Sequence, residues 1–88
     1  TSWGMESPRK FTEAEVAFCL TALDSGDYGA VLRAKGIVPA ADGTWLHFDY
    51  VPGEQDIRTG AADYTGRLCV IGAQLNEAAL KTLFVGEA

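Results

Sequence analysis

The sequence predicts an α+β fold, a two-layer sandwich in which a mainly antiparallel sheet of about four strands carries two helices packed on one face. Three observations lead there. A capped amphipathic helix opens at Thr12, and a second opens at Asn76 near the other end of the chain. Between them lie stretches of alternating or β-branched composition, two of them joined across Asp42-Gly43. The element order reads β-α-β-β-(β)-β-α, and both helices must bury an apolar stripe against one sheet.

Trp3 to Lys10 holds a short strand closed by Pro8. Thr12 and Glu15 form a T-x-x-E capping box, with Phe11 and Val16 at the hydrophobic-staple positions. Val16, Cys19, Leu20 and Leu23 continue the helical stripe, which ends near Asp24 because Ser25-Gly26 offers a residue that tolerates a left-handed conformation. Ala30 to Pro39 and Thr44 to Val51 then read as a β-hairpin.

A loop of Ala41, Asp42 and Gly43, with Gly43 left-handed, sets Leu46 opposite Val38, Phe48 opposite Gly36 and Tyr50 opposite Ala34. Large residues thus face small ones on the side the helices cover. A two-residue loop would instead put Lys35 opposite Tyr50, a charge within an aromatic layer. Gln55 to Thr59 is a further short strand, followed by an exposed loop over 60–66. Arg67 to Gly72 is an apolar run suited to a strand buried on both faces. Asn76 caps the last helix, Leu75 and Leu80 repeat the staple spacing, Leu80, Leu83 and Phe84 supply its core stripe, and Gly86 ends it.

Eighty-eight residues, 48% hydrophobic and 22% charged, suit one soluble domain. A net charge of −5 with scattered Lys and Arg argues against nucleic acid as a partner. No apolar run approaches the ~20 residues that span a bilayer. Cys19 and Cys69, each inside an apolar pattern, fit a reducing cytoplasm better than a disulfide framework. The chain begins at Thr1 rather than Met, and residues 1–88 read as a single domain excised from a longer protein.

Val31-Leu32-Arg33-Ala34-Lys35-Gly36 resembles the L-R-A-K-G signature of the C-terminal domain of CobW-type GTP-binding proteins. Leu68-Cys69-Val70-Ile71-Gly72 and the helix start Leu75-Asn76-Glu77-Ala78-Ala79-Leu80 extend the resemblance over the chain from Phe11 onward. It implies a non-catalytic domain that follows a P-loop GTPase engaged in zinc, cobalt or nickel delivery or in cobalamin synthesis. Its implied partners are that GTPase domain in cis and a client metalloprotein in trans. GTP, Mg²⁺ and a transition metal belong to the parent; the family's nucleotide motifs and Cys-rich metal site map to no residue of this chain, which has no cofactor of its own.

Gly29 to Gly36 imitates a Walker A loop, but Ala34 replaces the second glycine, Gly36 replaces the Mg²⁺-holding hydroxyl, and an extended segment follows instead of a helix. Cys19, His47 and Cys69 are the soft metal ligands besides Met5; a site built from them by folding defines the rival reading, a stand-alone metal- or small-molecule-binding module. His47 with Asp49, on one side of a strand, is the sole general-base arrangement, and nothing nucleophilic accompanies it. Glu54, Asp56 and Asp63 read as a solvated acidic loop without EF-hand spacing.

The hairpin register sets Lys35 across from Asp49 and Ile37 across from His47 on the side away from the helices, together with Val31, Arg33, Trp45 and Val51. That mixture is too apolar for a solvated surface and too charged for a core. Arg33, Lys35, Trp45 and His47 are therefore the expected interface residues, with Trp45 as anchor and Arg33 as charged contact.

Overall fold

The computed structural model describes residues 1–86. Its elements are β1 (Ser2–Ser7), α1 (Glu13–Ala22) with a 3₁₀ turn at Leu23–Ser25, β2 (Ala30–Pro39), β3 (Trp45–Val51), β4 (Glu54–Gly60), β5 (Gly66–Ala73) and α2 (Glu77–Val85). The five strands form one antiparallel sheet in the order β1-β5-β2-β3-β4. The sheet thus has five strands rather than about four, because Glu54–Gly60 pairs along the whole of β3 as a full edge strand. β1, α1 and β2 form a split β-α-β unit: the two strands run the same way with one strand's width between them, and β5 enters that gap last.

Local chemistry sets the ends of each element. The Thr12 hydroxyl accepts from the Glu15 N–H at 3.1 Å while the Glu15 carboxylate accepts from the Thr12 N–H at 2.8 Å, completing the capping box. Gly26 takes a left-handed φ of 88° after the 3₁₀ turn. The Asn76 side chain accepts from Ala79 N–H, and Gly86 closes α2 in the left-handed region. Gly43, with φ of 92°, makes the three-residue hairpin loop, and β2 and β3 meet in the register read from the sequence, Val38 with Leu46, Gly36 with Phe48 and Ala34 with Tyr50.

All of the core lies on one side of the sheet. Val16, Cys19 and Leu20 of α1 and Leu80 and Phe84 of α2 are buried against Ala34, Val38, Leu46, Phe48, Tyr50, Leu68 and Val70. The rings of Phe48 and Phe84 stack with centroids 6.4 Å apart. Tyr50 donates its hydroxyl to the Asp24 carboxylate, which also accepts from Gly53 N–H at 3.1 Å, tying the end of α1 to the β3–β4 turn. Burial, reinforced by that carboxylate, pushes the Tyr50 phenol up to about 12. Neither helix carries a basic residue in its last turn. Arg9 serves α2 from across the layer: its guanidinium donates to the Phe84 carbonyl at 2.7 Å and lies 4.3 Å from the centre of the Phe11 ring.

The structure departs from the sequence expectation on β2 and on β5. Val31 does not share a face with Arg33, because a bulge at Leu32 breaks the β2–β5 register; Val31 turns into the core while Leu32 and Arg33 both lie exposed. β5 is buried on one face only: Leu68 and Val70 enter the core, whereas Arg67 and Ile71 are exposed and Cys69 is half-buried. The reason is that the helices cover a single face.

Candidate functional site

The uncovered face of the sheet is where the charged residues converge. Successive rungs of the ladder bring Glu6, Arg67, Ile37, His47 and Arg58 into one row across all five strands. The adjacent row is Gly4, Cys69, Lys35, Asp49 and Asp56. Along this face a groove of about 450 Å³ runs between the side chains of Arg33, Lys35, Arg58 and Arg67, with Ile37, His47, Asp49 and Cys69 also lining it.

Asp49 is the hub of its ion pairs. Its carboxylate does not pair with Lys35, directly opposite, but with the two diagonal neighbours: Arg33 at 3.4 Å and Arg58 at 3.2 Å. Arg58 also reaches Asp56 at 2.6 Å, and Arg67 pairs with Asp63 at 2.9 Å. Guanidinium groups span the diagonal because their planar fork offers several donors at once. Glu54 and Asp56 therefore lie on an edge strand, not in an acidic loop, and Asp56 and Asp63 are engaged by arginines.

His47 is held by its far nitrogen. Nε2 lies 2.8 Å from the Ala61 carbonyl, which can only accept a hydrogen bond, so Nε2 carries the hydrogen and donates it, and the ring rests over Gly60, where a Cβ would come within 2.5 Å of it. With His47 bonded to a backbone carbonyl and Asp49 shared by two arginines, the pair does not form an orienting dyad. Cys19 lies in the helix layer under the other face, and burial pushes its thiol up to about 11. The sheet separates it from Cys69, and β2 separates Cys69 from His47, so the three ligands of the rival metal reading do not meet. No cluster of three or more His, Cys, Asp or Glu side chains suited to a metal occurs among the described residues.

Of the four expected interface residues, Arg33, Lys35 and His47 line the groove. Trp45 lies on the same face but beyond the end of the groove, half-buried where β3 meets Pro39 and Gly60. Arg58 and Arg67 complete the cationic lining and are not singled out by the sequence pattern; what joins them is the rung they share with Ile37 and His47, on β2 and β3, the two strands between them.

The family model described as "Cobalamin synthesis protein cobW C-terminal domain" matches residues 1–86. The chain belongs to the CobW C-terminal domain family. No curated protein matches it. Among solved structures, it is similar in fold to the Zn(II)-bound YjiA GTPase from E. coli, with a TM-score of 0.77 and 24% identity. A Zn(II)-bound triple mutant of the YjiA GTPase gives 0.79 at 22% identity. Each comparison covers 98% of this chain and 29% of the other, so the chain spans less than a third of the length of the GTPase chains it matches.

The fold gives the family's R-A-K-G signature a physical reading. Ala34 and Gly36 point into the core beneath Tyr50 and Phe48; a Cβ at position 36 would lie 2.5 Å from the Phe48 ring and 2.8 Å from Leu68. Arg33 and Lys35 point the other way, into the groove. One half of the motif makes room for aromatic rings, and the other charges the open face. In this CobW C-terminal domain, no described helix is long and apolar enough to cross a membrane.

Proposed function

We propose that this chain is the regulatory or recruitment domain that follows the P-loop GTPase of a CobW-type protein, performing no reaction itself and docking its open sheet face onto the GTPase domain. The observation that carries the reading is the uncovered face: exposed Ile71 and Val51, half-buried Trp45 and a cationic groove lie where a second helical layer would otherwise sit. Trp45 acts as the anchor, with Arg33 as its charged counterpart about 20 Å away along the face. Lys35 and His47 lie between them.

In this reading GTP, Mg²⁺ and a transition metal ion are handled by the parent's GTPase domain, in the cytoplasm, in the service of zinc, cobalt or nickel delivery or of cobalamin synthesis. A client metalloprotein is the second partner, and no group is assigned to this chain as a cofactor. The test is calorimetric association of the 88-residue chain with the separately expressed GTPase domain. Trp45→Ala is expected to weaken it about tenfold or more; an unchanged affinity refutes the assignment of the face.

A further inference from the structure

The groove is cationic in a chain that is not. Four of the seven Lys and Arg residues line it against the single carboxylate of Asp49, while the chain as a whole carries a net charge of −5. Three of the four cations already lean on carboxylates of the chain, Arg33 and Arg58 on Asp49 and Arg67 on Asp63. Lys35 differs. Among the described residues it has no carboxylate within ion-pair distance, although it stands at the centre of the face between Asp49 on β3 and Cys69 on β5. An incoming anion would meet Lys35 without breaking a native pair.

The kind of anion follows from what surrounds the groove. β2 and β5 are interior strands, so their backbone N–H groups are spent on the ladder, and both helices lie on the other face. The main-chain donors and helix N-termini that usually cradle a phosphate are therefore turned away from the groove. A nucleic acid would meet Glu6, Glu54 and Asp56 on the same face as well as the overall negative charge. A polypeptide carboxylate needs no main-chain cradle, because Arg and Lys side chains pair with it directly, and a short segment carries far less charge past those carboxylates than a nucleic acid does. Arg33 and Lys35 stand two residues apart on a strand, about 6.6 Å, which is also the spacing of alternate side chains in any extended chain.

We infer that the groove takes an acidic, extended segment of a protein partner, with carboxylates at alternate positions and Lys35 as the residue that recruits it. This rests on the docking role of the open face proposed above and names the chemistry of what docks.

The experiment titrates the ¹⁵N-labelled 88-residue chain with the blocked peptide Glu-Thr-Glu-Thr-Glu, with its Gln-Thr-Gln-Thr-Gln counterpart and with inorganic phosphate. The acidic peptide should give saturable amide shifts centred on Lys35, Ile37, His47 and Cys69. The neutral peptide and phosphate should not, and Lys35→Glu should weaken binding about fivefold or more, with Lys35→Gln intermediate. Equal responses to the two peptides, saturation by phosphate at the same amides, or indifference to both substitutions overturns the inference. The GTPase-domain assay separates the two ideas. Association lost in Trp45→Ala but untouched in Lys35→Glu keeps the docking role and overturns the acidic segment. Association indifferent to Trp45→Ala removes the docking role, leaving the peptide titration to decide the groove's chemistry.

Discussion

On the helix-covered side of the sheet, the inward positions of β3, Leu46, Phe48 and Tyr50, are all buried; on the other side Trp45, His47 and Asp49 are only half-buried and Val51 is exposed. β5 repeats the contrast with Leu68 and Val70 against Arg67 and Ile71. One side is held by apolar packing, in which Phe48 and Tyr50 each stand across from a small residue, Gly36 and Ala34. The other is held by ion pairs between exposed groups, which contribute little to stability and exchange partners readily. The same alternation that builds a stable layer on one face therefore leaves the opposite face free to serve recognition, and a substitution should move either stability or binding, seldom both.

The contrast is sharpest for the two thiols. Alkylation of the native protein should modify Cys69 about a hundredfold or more faster than Cys19, because the Cys19 thiol is buried and reacts only when the helix layer opens. Mass spectrometry of partly labelled protein checks this, and comparable rates would mean that the helices do not seal their face. Phe84→Ala removes the ring stacked on Phe48 and should cost about 3–5 kcal/mol in a denaturant melt. Gly36→Ala drives a methyl into Phe48 and Leu68 and should cost about 1–3 kcal/mol; a neutral result would undo the packing explanation of the family signature.

Thr12→Ala is smaller still, about 1 kcal/mol for the lost cap of α1. An unchanged midpoint would place the start of that helix elsewhere. At the bottom of the range, Lys35→Gln and Arg33→Ala should each shift stability by less than about 0.5 kcal/mol, since both residues are exposed on the open face. A loss as large as that of Gly36→Ala would make the open face structural and erase the distinction between the two sides.

The expected site was legible to the extent that it depended on the hairpin. Once Gly43 fixed the register, Lys35, Ile37, His47 and Asp49 fell onto one face by alternation alone. Arg58 and Arg67 could not be placed with them from the sequence, because their neighbours depend on which strand lies beside which. Nor could Val31, whose side is set by a bulge that no residue type at Leu32 announces. The apolar run of β5 suits a doubly buried strand, yet only one of its faces is covered, because a strand with one open apolar face and a fully buried strand share the same composition.

Everything governed by neighbours within a few positions is already written in the linear chain. The capping box of Thr12 and Glu15, the Asn76 cap, the left-handed glycines and the Ala41-Asp42-Gly43 loop each satisfy their hydrogen bonds and dihedral demands locally. Contacts that join distant segments are settled by the assembled fold. The insertion of β5 between β1 and β2, the capping of α2 by Arg9 and the choice of Arg33 and Arg58 over Lys35 as partners of Asp49 belong to this second group. The physical reason is that such contacts form only when closing long loops is offset by burial shared across the whole core, a balance no single stretch of the chain contains.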